Sequence, residues 1–261
     1  MRTDSSGAPD RLLSMSLRNR VRLFWITLVI LLAVIWFRYP DNFGGKWGLP
    51  SAFLVIIVGI AVANVLARRS LRQFRKALSV GDIPAAKREH ANLVDFWRRR
   101  GRETMKAYSV NILLLEERYQ EALNELQALD TKKLGRKGAP VIENQVAFCK
   151  AQLGEPAKAI EISQAILPRL ESMGPDYGSS AYLVLGTANF LLGRLSDAVP
   201  HLEKAYTTST DVPTRKAIAA FYLGEAFSAL GKPADAREAY QHAQDALPNG
   251  RFGLRALERL K

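Results

Sequence analysis

The chain has 261 residues and a formal net charge of +12, long enough for one or two domains with a sizeable core. The excess charge is confined: residues 68–106 hold 12 Lys/Arg against 4 Asp/Glu, whereas residues 107–261 hold 18 of each. A nucleic-acid binder would prefer basic residues across its folded domain, so no nucleic-acid partner is expected and an anionic membrane surface fits the placement better. The single cysteine, Cys149, excludes an intramolecular disulfide and a Cys-rich metal framework.

Residues 1–20 read as an N-terminal tail. From Leu23 to Phe37, 15 residues run without a charge, and from Trp47 to Ala67 a further 21 do so. The first run is short against the roughly 20 residues a bilayer asks for. Val21 and Tyr39 extend it if Arg22 snorkels to the interface. Pro40 and Gly44-Gly45 in the intervening Arg38–Lys46 segment mark a turn. The expectation is a transmembrane hairpin over 21–67, with spans at about 21–39 and 47–67. A cleaved signal peptide is the rival, but WFRYP is no small-x-small exit. Arg11, Arg18, Arg20 and Arg22 precede the first run, and Arg68, Arg69, Arg72, Arg75 and Lys76 follow the second. Only Arg38 and Lys46 lie between. This asymmetry predicts a multi-pass protein of the cell (inner) membrane with both termini cytoplasmic.

Residues 68–106 read as basic juxtamembrane helices, a degenerate first repeat. Arg98, Arg99 and Arg100 join Arg68, Arg69, Arg72, Arg75 and Lys76 as expected contacts to lipid head groups, each giving about 1 kcal/mol near an anionic surface.

Beyond Arg68 apolar residues recur at helical spacing, broken by Gly and Pro. Leu185–Ala205 and Leu223–Ala243 align without gaps, 38 residues apart, and Val146–Ile166 is a third copy. Each has a small residue early (Ala147, Gly186, Gly224), a turn glycine (Gly154, Gly193, Gly231) and a later alanine (Ala159, Ala198, Ala236). Taking that alanine as register adds Ala86 and Ala122 upstream. Tyr240 and Pro248 complete the pattern in the last copy.

These residues resemble the tetratricopeptide repeat, a helix-turn-helix unit of about 34 residues. The observed spacings of 36 to 39 residues exceed that period, which implies longer loops or helices. The resemblance implies an all-α fold: an α-solenoid of about 4–5 helix pairs over 107–250, stacked because one hairpin cannot bury its own apolar face. Residues 251–261 would cap it, with Leu254, Leu257 and Leu260 turned inward. A two-span hairpin ahead of such repeats is similar in layout to bacterial inner-membrane repeat proteins.

No constellation for catalysis stands out. His90, His201 and His242 are far apart, and there is no phosphate loop, dinucleotide glycine pattern or nucleophile elbow. No cofactor and no enzymatic activity are expected. The binding surface implied by the resemblance is the concave face of first helices: Asn111, Asn144, Phe148, Thr187, Phe190, Phe221 and Glu225. The lysines of a carboxylate-binding clamp are missing. A groove for a peptide segment or partner helix is the expectation, with inter-repeat packing of the aromatics as the alternative. The leading function is therefore a membrane-anchored scaffold for other proteins. A lipid-sensing regulator of envelope or lipid biogenesis, or an accessory subunit of a membrane enzyme complex, are the alternatives; the sequence leaves the oligomeric state open.

Overall fold

The computed structural model describes residues 17–38, 48–96 and 102–261. Within them the chain is all helix: twelve α-helices and one 3-10 turn, with no strand. The described residues group into two compact units, one within 17–74 and 88–96, the other within 75–87 and 102–261.

The first unit is built on α1 (Leu17–Arg38) and the longer α2 (Gly48–Ser79). They meet where the Trp25 ring lies directly on Gly59, leaving no room for a Cβ there. Leu23, Ile26, Val29 and Ile30 on α1, and Leu54, Ile56, Ile57, Ile60 and Val65 on α2, are exposed. Where α2 becomes basic it packs on α3 (Ile83–Phe96): Phe74 is fully buried, its ring 5.9 Å from that of His90. The Ser70 hydroxyl donates to Glu89 at 2.7 Å. Among the described residues no helix is long and apolar enough to cross a membrane, so α1 and α2 as described do not carry the two-span expectation. The 1–16 tail, the 39–47 turn and Arg98, Arg99 and Arg100 lie outside the described residues.

The second unit contains the expected solenoid. After the end of α2 and the start of α3 come the pairs α4 (Arg102–Leu115) and α5 (Tyr119–Gln127), α6 (Gly138–Gln152) and α7 (Pro156–Met173), α8 (Pro175–Leu191) and α9 (Leu195–Thr208), α10 (Pro213–Ala229) and α11 (Pro233–Ala246). A single 3-10 turn, Thr131–Leu134, lies between α5 and α6, and α12 (Arg251–Leu260) closes the array. The long period comes partly from the helices: α7 runs 18 residues and is separated from α8 by Gly174 alone. Gly154, Gly193 and Gly231 take φ of 87°, 73° and 73°, the left-handed turn that a Cβ disfavours.

Within each pair, the residue sixteen positions after the early small residue faces it in size. A Cβ on Gly186 would come within 2.5 Å of Leu202 Cγ, and one on Gly224 within 2.5 Å of the Tyr240 ring. In the preceding pair the same slots hold Ala147 and Ser163, both fully buried. Glycine stands where its partner is large, alanine where its partner is small, because close-packed interiors tolerate neither voids nor overlap. Ala159, Ala198 and Ala236 are buried at the second-helix register position.

The cap is rotated from its expected face. Phe252, Gly253, Ala256 and Leu260 turn toward the last repeat, while Leu254 and Leu257 are exposed. Gly253 permits this face: a Cβ there would fall 2.0 Å from the Leu247 carbonyl oxygen, so the backbone approach leaves no room for a side chain. Only that edge of α12 can approach so closely.

Candidate protein-binding groove

The first helices of successive pairs, α4, α6, α8 and α10, line a cavity of about 700 Å³ in the second unit. The residues 75–79 at the end of α2 form its remaining wall. One side is apolar, with Leu114, Val141, Phe148, Leu183, Val184 and Ile218. The other is polar and held by a directional network.

Gln145 and Asn111 show how that network fixes orientation. Asn111 Nδ2 donates to the Ala107 carbonyl at 3.1 Å, so its Oδ1 is the atom that meets Gln145. Gln145 Nε2 donates to it at 2.9 Å, which leaves Gln145 Oε1 as a bare acceptor. Asn144 behaves alike. Ser180 commits its one hydroxyl proton to the Tyr177 carbonyl at 2.6 Å, so it can only accept from Asn144 Nδ2 at 3.2 Å. Asn144 Oδ1 is then the second bare acceptor. Both oxygens are shut from solvent without a partner, a state that costs about 1–3 kcal/mol per group.

Farther along, Arg215 spreads over the start of α8. Its Nη1 donates at 2.7 Å to both the Asp176 carbonyl and Ser179 Oγ, with the Asp176 carboxylate 3.9 Å away. Burial pulls the guanidinium pKa below its ordinary value, and the Asp176 charge offsets part of that.

Of the seven residues expected to line a groove, Asn111, Asn144 and Phe148 are brought together on this cavity. Thr187 is instead fully buried beside Gly186. Phe190 packs edge-on against Tyr222 at 5.5 Å, and Phe221 is buried against Phe252 of the cap at 5.5 Å. Glu225 accepts from Tyr240 at 2.7 Å and pairs with Arg259 at 2.8 Å. The cap therefore takes over the face of α10 that was expected to stay open. Gln145, Asp176, Ser180, Thr214 and Arg215 enter the site unannounced by motif. The basic residues Arg68, Arg69, Arg72, Arg75 and Lys76 are all exposed; Arg75 donates to the Tyr108 hydroxyl at 3.2 Å.

Residues 139–211 and 185–249 each match the family described as tetratricopeptide repeat. Over residues 139–249 the chain is therefore similar to tetratricopeptide repeats. A solved structure titled as YrrB, a TPR protein with an unusual peptide-binding site, aligns with 71% of this chain and 88% of its own, at 18% identity and a TM-score of 0.40. No curated protein matches the chain. Among the described residues no group of three or more His, Cys, Asp or Glu could hold a metal ion.

Proposed function

We propose that this chain is a membrane-associated, non-enzymatic scaffold that seats a segment of a partner protein in the cavity on the first helices of its tetratricopeptide repeats. The observation that carries this reading is the cavity itself, whose edge is set by Asn144 and Gln145 with their amide oxygens left without donors just beneath it. A partner offering N–H groups, as any polypeptide backbone does, relieves that cost once rotation of either amide brings its oxygen to the cavity surface. The apolar wall around Phe148 supplies contact area for its side chains.

Membrane association rests on the exposed apolar residues of α1 and α2. Clustered exposed apolar surface marks an interaction site, with lipid or with protein. Arg68, Arg69 and Arg72, exposed just beyond Val65, suit an anionic head-group layer. The same basic row supports the second reading, a regulator that recognises lipid.

Affinity capture of the full-length chain from detergent extracts tests the scaffold. Stoichiometric partners are expected with wild type, and recovery should fall at least tenfold with Phe148→Ala or Asn144→Leu. Partners retained at full yield by both variants would remove the cavity from the account. Flotation with vesicles of anionic lipid separates the second reading: specific retained lipid with no protein partner favours the regulator.

A further inference from the structure

The groove already contains a piece of this chain. A second cavity, of about 670 Å³, is lined in part by Leu114, Leu115, Phe148, Thr214 and Ile218, and all five also line the first. What lies between the two is the continuous segment 75–83: Arg75, Lys76, Leu78 and Ser79 wall the first cavity, Gly81 and Ile83 the second. The segment thus divides one trough into two.

It is pinned on one side by Thr214 and enclosed on the other by the turn and cap that wall the second cavity. Thr214, at the start of α10 and 135 residues away in sequence, places its hydroxyl 2.6 Å from the Ser79 carbonyl and 3.1 Å from that of Leu78. The Ser79 carbonyl is one that the last turn of a helix leaves without an intrahelical partner, while that of Leu78 also accepts from the Gly81 N–H at 3.2 Å. Across the second cavity, Glu117 pairs with Arg251 at 2.9 Å and with Arg255 at 3.1 Å, tying the α4–α5 turn to the cap.

Glu117 also occupies a telling position. It falls five residues before Ala122, the slot that holds Gly81, Gly154, Gly193 and Gly231 in the other pairs. It adopts φ 57°, and no other non-glycine among the described residues has a positive φ. A side chain in the left-handed region brings its Cβ too close to the following carbonyl oxygen. The glutamate bears that strain and supplies the clasp that glycine could not.

We propose that residues 75–83 are a built-in lid that occupies the partner-binding groove, pinned there by Thr214 and shut in by the Glu117–Arg251/Arg255 clasp across the second cavity. The proposal rests on reading the groove as the partner site, and it assigns that site a regulator from the same chain. A partner segment competes with the lid for one trough. Because α2 is one helix from Gly48 to Ser79, displacing the lid displaces the end of the helix that carries the apolar run.

The experiment needs no partner, so it stands or falls apart from the scaffold reading. Full-length protein in detergent is compared with the double variant Thr214→Val/Glu117→Gly; the glycine removes the clasp while relaxing the turn. Deuterium uptake at amides 80–86 should rise at least tenfold, with α8 and α9 unchanged. In an Ile218→Cys background, which places a thiol on both cavities, labelling by a bulky maleimide should accelerate to a similar degree. The native Cys149 stays silent, buried with its pKa pushed up to about 12. Thr214→Ser with Glu117 intact keeps both contacts and should retain wild-type uptake and labelling. Uptake at 80–86 and labelling that both match wild type in the double variant overturn the lid, as does faster exchange spread evenly over α8 and α9.

Discussion

Replacing Gly186 by alanine drives a methyl group into the second helix of its own repeat. The new Cβ would sit 2.5 Å from Leu202 Cγ, 2.8 Å from Cδ2 and 3.0 Å from the backbone nitrogen. The two contacts under 3 Å are to the leucine side chain, whose Cγ has no room to swing clear in a packed core, so the helices must separate. Overpacking of this kind costs about 1–3 kcal/mol, against about 1 kcal/mol gained in helix propensity, for a net loss of about 1 kcal/mol. Leu202→Ala alone, at a fully buried site, should cost about 2–5 kcal/mol. In the double variant the methyl enters space that the leucine has left. The account therefore predicts a double variant more stable than the sum of the singles by about 1–3 kcal/mol. Urea unfolding of the intact chain in detergent, followed by far-UV circular dichroism, measures all four corners. Additivity within about 0.5 kcal/mol would refute the size-complementarity argument.

Ser163 is fully buried with an unpartnered hydroxyl, so Ser163→Ala should raise stability by about 1 kcal/mol in the same urea assay. Burial pushes the Cys149 thiol up to about 12, whereas an unfolded thiol titrates near 8.5. Between those values the unfolded state alone loses its proton, so this contribution is intact below about pH 8.5 and declines as pH rises toward 12. Cys149→Ala should flatten the fall in urea midpoint over that window; an unchanged slope contradicts it. Arg215→Met leaves Ser179 without its donor and the Asp176 carbonyl with one fewer. It should lower stability by about 1.5–3 kcal/mol, with thermal unfolding as the check.

The repeat architecture was legible because Gly154, Gly193 and Gly231 answer a backbone demand, and Gly186 and Gly224 a packing demand, at fixed register. Sequence spacing records both kinds of constraint. The groove was legible in part. Asn111 and Phe148 occupy equivalent register positions on adjacent first helices, and both reach the cavity. Thr187 and Glu225 continue that same register and do not, since Thr187 is sealed in the core and Glu225 is taken by the cap through Arg259. The cap's rotation hinges on one contact at Gly253, which an amphipathic pattern of leucines does not encode. Glu117 was findable: counting five back from each register alanine singles it out as the missing turn glycine. The Thr214 contact to residues 78 and 79 was not, because no local pattern reports a pairing across 135 residues.

A photo-crosslinking residue in place of Phe148, on the cavity wall, tests the central claim most directly. Glu203, exposed on the second helix α9, is the matched control. In native membranes the account predicts a discrete crosslinked protein from position 148 and none from position 203. A partner captured equally from both positions, or from 203 alone, would contradict it.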